Sequence, residues 1–335
     1  MAWHSARIYV VFGLCLLAAP LYAGAQPIVL RMGGNFPANH GSSVSFEKIF
    51  KPEVARLTNG ALRIDLFPGS QLGSSNEQVD QIVSGQVPLM WSGPNIFSRL
   101  APELEASELP FAAASDAQAA CVIDGELGKH LADKLAEKGV LILGWEYNGL
   151  RYITNNKRPI NTLQDLKGLK IRVPGSDQWM NTFRALGANP TPLDIAEVYQ
   201  ALQQGVVDGQ ENPPENILVN NFQEVQKYIT KTGHFFSWVL ILANKKTFES
   251  LKPEYQQAIR TAMQSAVQDQ RRASGTTNED ALKKLQAKMQ LNVPSKEALA
   301  EMRKATLPVY DLVRKRVGDR TMEIAQRSIE ACSSR

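Results

Sequence analysis

The sequence predicts an α/β protein of two domains, between which the chain passes more than once. Short apolar, strand-like runs alternate with helical patterns from residue 28 to about residue 206, and this order favours parallel or mixed sheets covered by helices. The length is enough for two domains of ordinary size, yet no low-complexity linker separates them. From Pro253 to its end the chain is helix-rich and charge-rich.

The first elements are predicted from local patterns. Residues 28–32 form a β-type run, and apolar residues then recur at three- and four-residue spacings from 46 to 57, as in an amphipathic helix. Residues 62–66 alternate between apolar and polar side chains, which is typical of a half-buried strand. Ser74 and Glu77 have the spacing of a capping box, so a helix is expected to begin there.

The later elements follow in the same alternating order. They are predicted as a strand at 87–91, a helix at 116–138, strands at 140–147 and 169–173, a helix from Ser176 to Gly187, a helix at 196–206 and one long helix from about Pro253 to Ser274.

The N-terminus predicts export to the periplasm. Arg7 precedes an apolar run over 8–21, and small residues occupy 23–25, so we predict a cleaved signal peptide at 1–25. A membrane anchor is the alternative, but the run is shorter than the roughly 20 apolar residues that span a bilayer and contains Pro20. Since no later segment is apolar enough to span one, we expect no stable membrane insertion.

The charge distribution gives no sign of a nucleic-acid partner. The formal net charge is +4, and one positive charge belongs to Arg7 in the predicted signal peptide. Nucleic-acid binding normally needs clustered basic residues on one element. The basic runs at 271–272 and 314–316 lie in charge-mixed helical stretches and are interpreted as solvated faces.

Two cysteines follow the predicted signal peptide, Cys121 and Cys332. In an oxidising periplasm they could form one disulfide. Their separation in sequence does not show whether they are close in space, so a disulfide and two free thiols both stay open.

The search for an active site is negative, and the sequence predicts no enzyme, metal or cofactor. His40, His130 and His234 are far apart, and no Cys-x-x-Cys pair is present, so sequence neighbours offer no metal site. The chain also lacks a Gly-x-Ser-x-Gly elbow and the glycine-rich phosphate-binding motifs.

Three polar features stand out instead. Residues 168–174 place Arg172 inside an otherwise apolar strand, where its side chain points away from Ile171 and Val173. Arg151 follows another buried strand, and residues 208–214 form a polar segment directly after a helix. A surface position for Arg172 remains the alternative at this point.

Several long motifs resemble the solute-binding receptors of TRAP transporters, the C4-dicarboxylate (DctP) type. The resemblance covers nearly the whole chain after the predicted signal peptide. It rests on Gly-Leu-Lys-Ile-Arg-Val-Pro at 168–174 and on the segments 67–73, 109–111, 147–151, 155–160, 185–192 and 197–213.

The resemblance implies a two-domain periplasmic binding protein that closes on its ligand like a flytrap, with crossover strands and a long connecting helix. Domain I is expected at 26–149 and 238–277, and domain II at 150–237 and 278–335. The implied ligand is a small organic acid, and the implied receptor is a monomer that delivers it to the membrane subunits of a TRAP transporter.

The resemblance also implies the site residues. Arg172 is expected to pair with the ligand carboxylate, Arg151 to assist it, and Asn212 to hydrogen-bond the same end. Guanidinium suits this role because it matches a carboxylate with two parallel charge-assisted hydrogen bonds. By position in the family pattern, further candidates for the wall are Asn35, Phe36, Trp91, Gly93, Asn95, Ile195, His234 and Trp238.

The candidate wall suggests a ligand class. The sialic-acid branch of the family has a glutamate where Gly93 aligns, which disfavours a nine-carbon sugar acid. The apolar candidates would favour small carboxylates with apolar or ring character over sugars. Each of these apolar candidates could instead belong to the core, and His234 could have a structural role rather than contact the ligand. The apolar candidates are Phe36, Trp91, Ile195 and Trp238.

We therefore predict a periplasmic receptor that binds one organic acid and delivers it to a transporter. One alternative is a periplasmic sensor that passes a ligand signal to a membrane kinase. The other is a secreted α/β hydrolase with dispersed catalytic residues, which would turn its ligand over rather than release it unchanged.

Overall fold

The computed structural model describes Met1 and residues 26–334. Apart from Met1, the predicted signal peptide at 1–25 lies outside the described residues. Among those that are described, no helix is both long and apolar enough to cross a membrane.

Strands occur from the first described segment to near residue 292. They are β1 (Ile28–Gly34), β2 (Leu62–Phe67), β3 (Leu89–Ser92), β4 (Val140–Leu150), β5 (Tyr152–Asn155), β6 (Lys170–Val173), β7 (Asn189–Pro192), β8 (Gly209–Asn212), β9 (Tyr228–Thr230), β10 (Phe236–Asn244) and β11 (Gln290–Asn292).

Helices connect and cover these strands. The α-helices are α1 (Gly41–Ser45), α2 (Lys51–Leu57), α3 (Ser75–Ser84), α4 (Pro94–Phe97), α5 (Asp116–Ile123), α6 (Glu126–Glu137), α7 (Asp177–Ala185), α8 (Ile195–Gln203), α9 (Pro214–Val219), α10 (Lys245–Glu249), α11 (Pro253–Gln286), α12 (Lys296–Val317) and α13 (Asp319–Ala331). A π-helix (Phe46–Phe50) joins α1 to α2, and short 3-10 helices cover Pro102–Glu108, Leu163–Leu166 and Phe222–Glu224.

The strands form two mixed sheets, which confirms the predicted α/β class. Sheet A has the order β2-β1-β3-β10-β4, and β10 runs antiparallel to both of its neighbours. Sheet B has the order β11-β9-β5-β8-β6-β7, in which β5 is antiparallel to β8 and β9. Each sheet packs into its own hydrophobic clusters.

Two crossovers join the sheets side by side. The chain passes from β4 to β5 through Arg151 and returns from β9 to β10 through residues 231–235. Their backbones are hydrogen-bonded, because Arg151 N donates to Phe235 O at 2.9 Å and Gly233 N donates to Arg151 O at 3.1 Å. Arg151 therefore lies at the junction of the two sheets.

Helix α11 spans both halves of the molecule. Its first part, including Ile259 and Met263, packs in a core cluster of sheet A, and Leu285 near its end packs in a core cluster of sheet B. The predicted end at Ser274 was wrong. Ser274 is buried, and Asn278 donates to Asn148 O at 3.2 Å, so tertiary contacts continue the helix through residues of modest helix propensity.

The helix predicted over 116–138 is two helices, α5 and α6. Asp124 and Gly125 separate them, and Asp124 forms an ion pair with Arg271 of α11 at 2.7 Å. A side chain at Gly128 would collide with the carbonyl of Ile123, so the second helix begins tightly against the end of the first. The continuous apolar pattern hid this break.

The C-terminal helices are the main departure from the expected domain division. Met322 and Ile324 of α13 pack in a core cluster of sheet A, as does Val313 of α12. The disulfide between Cys121 and Cys332 ties the same region to α5. The assignment of 278–335 as a whole to domain II is thus wrong for its last part, because this amphipathic helix buries its apolar face on sheet A. The other boundaries stay a prediction.

Candidate ligand-binding cleft

A cavity of about 620 Å³ lies between the two sheets, with walls from both. The candidates that line it are Asn35, Phe36, Gly93, Asn95, Arg151, Arg172, Ile195, Asn212 and Trp238. Side chains that were not predicted also line it, and they are largely amides, hydroxyls and acids: Ser70, Asn76, Ser98, Glu108, Asn148, Asp194, Asn216 and Ser237 among them.

Arg172 on β6 brings a buried positive charge to this cavity. Its side chain is 3% exposed, and Nε and Nη2 both donate to Leu193 O, at 2.9 and 2.6 Å. Within residues 26–334, no carboxylate oxygen lies within 4.0 Å of the guanidinium. Burial lowers the pKa of Arg172 to about 10, against an opposing effect of Glu211. The group is therefore charged at neutral pH and lacks a direct ionic partner in the described part of the chain.

Arg151 differs from Arg172 because its charge is already compensated. Its Nε and Nη2 donate to the Glu211 carboxylate at 2.6 and 3.0 Å, and Nη2 also donates to Glu211 O at 2.8 Å. Nη1 donates to Ser237 Oγ at 3.2 Å. Both partners of this ion pair are almost fully buried. The pair thus holds the crossover, and help from Arg151 to the ligand carboxylate remains a prediction.

Glu211 was not predicted as important, although it lies in the segment that the sequence marked. Burial opposes its ionisation, but the Arg151 charge and hydrogen bonds from His234 and Arg151 outweigh burial and lower its pKa. The carboxylate is therefore ionised in the folded protein. The only sequence signal for its importance was that an acidic residue directly precedes the predicted site residue Asn212.

Asn212 is fixed by neighbouring amides and by Arg151. Its Oδ1 accepts from Arg151 Nη2 at 2.8 Å and from Asn216 Nδ2 at 3.2 Å, while its Nδ2 donates to Gln210 Oε1 at 2.6 Å. Gln210 in turn donates to Thr154 Oγ1 at 3.0 Å. The network orients the Asn212 amide at the cavity wall.

The sheet A wall combines two aromatic side chains with one unpaired polar atom. Phe36 stacks on His40 with ring centroids 4.4 Å apart. Asn35 Oδ1 is buried and accepts no hydrogen bond from the described residues. Trp238 reaches the cavity from the sheet A core and donates from Nε1 to Ser107 O at 3.3 Å. A side chain at Gly93 would collide with Asn95 Oδ1, so no larger residue fits there without moving Asn95.

The structure does not bring Trp91 or His234 to the cavity wall. Trp91 is 0% exposed and packs edge-on against Phe46 at 5.3 Å, under Gly34, where any side chain would collide with its ring. His234 is also 0% exposed. Its Nε2 lies 3.1 Å from Glu211 Oε2, so the structural alternative describes it. The expected apolar wall is accordingly reduced.

A hydrogen bond between α3 and α8 crosses the cleft. Asp194 caps α8 by accepting from Ala196 N at 3.2 Å, and its other oxygen accepts from Ser75 N at the start of α3 at 2.8 Å. Burial opposes the ionisation of Asp194, but the hydrogen bonds from Ser75 and Ala196 lower its pKa. This carboxylate thus joins two helix N-termini, one on each side.

We expect Asp194→Asn to weaken ligand binding by about two- to tenfold. Asparagine caps a helix as well as aspartate does, but it replaces the charge-assisted hydrogen bond across the cleft by a neutral one, which is weaker by about 1 kcal/mol. Calorimetry with a bound acid measures the change. Asp165→Asn is the matched control, because Asp165 belongs to a capping box within the sheet B half. If both variants bind the acid equally tightly, the contact between Asp194 and Ser75 does not help to hold the cleft closed.

The two mixed sheets are covered by helices, joined by two crossovers and spanned by α11, and a cleft lies between them. This architecture is that of the two-domain solute-binding proteins. Residues 33–316 match the sequence model of the bacterial extracellular solute-binding proteins, family 7. The chain belongs to this family, which confirms the resemblance.

Relatives and solved structures agree with the family. The chain is 35% identical to the 2,3-diketo-L-gulonate-binding periplasmic protein of Escherichia coli, over 72% of this chain and 74% of that one. It is 32% identical to the C4-dicarboxylate-binding periplasmic protein of Rhodobacter capsulatus, over 91% and 92%. The sugar acid binding protein of Advenella mimigardefordensis, solved with galactonate, superimposes with a TM-score of 0.88 at 30% identity, covering 92% of this chain and 99% of that one.

Proposed function

We propose that the protein is a periplasmic receptor that binds one small organic acid in the cleft and performs no chemistry on it. Arg172 carries this proposal, because its guanidinium is buried at the cavity wall without a carboxylate partner among the described residues. A buried charge is costly unless it is paired. A ligand carboxylate would supply that pair.

The physical setting favours a tight interaction. Charge-assisted hydrogen bonds strengthen in a cleft that excludes water, because the local dielectric constant falls. The three relatives described above are named for, or were solved with, 2,3-diketo-L-gulonate, C4-dicarboxylates and galactonate. All of these are carboxylates. An affinity of about 1 μM or tighter corresponds to about −8 kcal/mol or beyond.

Delivery completes the proposed role. We propose that a monomer, exported by cleavage at 1–25, passes its ligand to the membrane subunits of a TRAP transporter. The match to a family of extracellular solute-binding proteins supports export, and the likeness to a TRAP periplasmic solute-binding protein of Sulfurospirillum deleyianum supports the transporter type. The polar lining also revises the ligand expected from sequence. Since amides and hydroxyls make up much of the wall, acids with polar substituents fit it at least as well as apolar ones.

A thermal-shift screen tests the proposal. The panel contains galactonate, 2,3-diketo-L-gulonate and succinate, with galactitol as the neutral counterpart of galactonate. A ligand that binds only the folded state raises the melting temperature by mass action, so we expect a rise with at least one acid and none with galactitol. Recovery of the acid unchanged supports a receptor. No shift with any acid, or conversion of the acid, would contradict it.

A further inference from the structure

Glu108 is an acidic residue in the cleft that the proposed carboxylate site does not use. It ends the 3-10 helix Pro102–Glu108 on the sheet A side and lines the same cavity as Arg172, which comes from sheet B. The residue is 2% exposed. A buried acid facing an anion-binding cavity requires an explanation, because an ionised carboxylate there would repel the ligand.

Neighbouring groups hold Glu108 in place. Its Oε1 accepts from Trp238 N at 3.3 Å, and its main-chain O accepts from Gln178 Nε2 at 3.0 Å. The same Gln178 amide donates to Glu105 O at 3.0 Å, so α7 fixes the last turn of the 3-10 helix. The Glu108 carboxyl group is consequently presented to the cavity in one arrangement.

No neighbouring positive charge is close enough to compensate an ionised Glu108 carboxylate. Within the described residues no basic group lies within 4.0 Å of its carboxyl oxygens. Arg151 acts on it from the crossover and Glu211 from β8, but these two are paired with each other. Behind that pair, burial keeps the pKa of His234 below its ordinary value. Burial raises the pKa of Glu108 itself to about 8, so the carboxyl group keeps its proton at neutral pH.

Glu105 on the same helix provides a contrast. It is also buried, but Arg316 lies 3.1 Å from its carboxylate. It is not among the residues that line the cavity. Burial raises the pKa of Glu105 as well, to about 7, so the two acids differ in position: of the two, Glu108 alone lines the ligand cavity.

We propose that Glu108 is a specificity-determining residue that hydrogen-bonds a hydroxyl group of the bound acid from the wall opposite Arg172. This inference rests on the proposed function. A protonated carboxyl group donates one hydrogen bond and accepts others, which matches a hydroxyl and adds no negative charge beside the ligand. The cleft would thus select acids that carry hydroxyl groups over acids of the same length without them.

The test compares affinities of one hydroxylated acid and hexanoate, by calorimetry on the full-length mature protein. The hydroxylated probe is whichever of galactonate and 2,3-diketo-L-gulonate binds more tightly. In Glu108→Leu we expect its affinity to fall by about ten- to a hundredfold, because its hydroxyl is left unpaired. The affinity for hexanoate should not fall. Glu108→Gln, which keeps a neutral donor, should retain most affinity for the hydroxylated acid, and Glu105→Gln is the matched control.

A pH series provides a second readout that needs only the conservative variant. In the wild-type protein, the protonated Glu108 carboxyl group binds the hydroxylated acid below about pH 8, and this part of the affinity is lost as pH rises through that value. Glu108→Gln has no proton to lose, so its affinity should stay constant from about pH 7 to 9. A wild-type profile identical to that of Glu108→Gln would overturn the inference, even if Glu108→Leu fails to fold.

The remaining outcomes separate the two proposals. Equal losses of both acids in Glu108→Leu, or an equally large loss in Glu108→Gln, would overturn the role of Glu108. Binding of succinate alone by the wild-type protein would overturn it too, while leaving the carboxylate receptor intact. If no acid binds the wild-type protein, the proposed function itself fails and the inference with it.

Discussion

Arg172→Ala is expected to weaken binding of the cognate acid by about 2–5 kcal/mol, the usual cost of removing one partner of a buried charge pair. Arg172→Lys should also lose most of the affinity, because a lysine ammonium is a point charge and cannot form the planar fork that matches a carboxylate. The buried position and the shared acceptor Leu193 O allow little adjustment by a shorter or more flexible side chain. Calorimetry with the tightest acid from the screen measures both variants.

The control for this experiment is Arg184→Ala. Arg184 lies on α7 of the same half of the molecule, is exposed, and is hydrogen-bonded to Asn181. Its removal should leave affinity unchanged. Thermal unfolding of the ligand-free variants checks that they fold. Wild-type affinity in both Arg172 variants would refute the assignment of the carboxylate site.

Glu211→Ala is expected to destabilise the fold by about 3–5 kcal/mol, because it leaves the Arg151 charge buried without its partner. His234 would lose its carboxylate neighbour at the same time. Urea unfolding measures the change in the free energy of unfolding. Glu215→Ala is an informative comparison, since Glu215 accepts from Gly41 N at 2.7 Å and is also buried, but lacks an arginine partner among the described residues.

A double replacement separates the pair from its burial. Removing both charges with Arg151→Met and Glu211→Leu should restore much of the stability lost in Glu211→Ala, because buried ion pairs replaced by apolar residues are often close to neutral. The double-mutant cycle gives the coupling energy. A double variant as unstable as the sum of both single variants would contradict an ion pair as the main interaction.

The same pair predicts acid sensitivity. The folded-state pKa of Glu211 is lowered, so its contribution to stability is present above the pKa of an unfolded glutamate, about 4.3. That contribution is lost as pH falls through the folded-state value. Glu211→Ala should consequently show a shallower loss of stability at acid pH than the wild-type protein.

The two arginines that the sequence singled out differ in their interactions in the folded protein. Arg151 is hydrogen-bonded to Glu211 at the junction of the sheets, where both crossovers meet. Among the described residues, the Arg172 guanidinium donates to Leu193 O alone. The arginine that lacks an ionic partner within residues 26–334 is therefore the better candidate for the ligand carboxylate.

Features that depend on neighbouring residues could be predicted from sequence. The capping box of Ser74 and Glu77 is present, and α3 ends at Gly85 in a left-handed conformation. The strand carrying Arg172 was expected at 169–173 and is found at Lys170–Val173. Alternation and capping are encoded within a few residues, because side-chain direction and unsatisfied helix ends repeat with fixed periods.

Features that depend on distant segments could not be predicted from the sequence. The break between α5 and α6 and the extension of α11 follow from packing against residues far along the chain. Trp91 and His234 fit the family pattern of pocket residues but lie in the core, since periodicity shows which residues are buried and not what covers them. A residue buried in the core and a residue that faces the cleft have the same periodic sequence pattern.

The chain's local pattern was thus sufficient for the alternating α/β class, the caps and the arginine-bearing strand. Only the tertiary structure paired Cys121 with Cys332, placed Asp194 against Ser75 across the cleft and brought Glu108 to the cavity of Arg172. The reason is physical. Ion pairs, disulfides and pocket walls depend on distances between segments remote in sequence, and those distances exist only after both sheets and α11 have packed together.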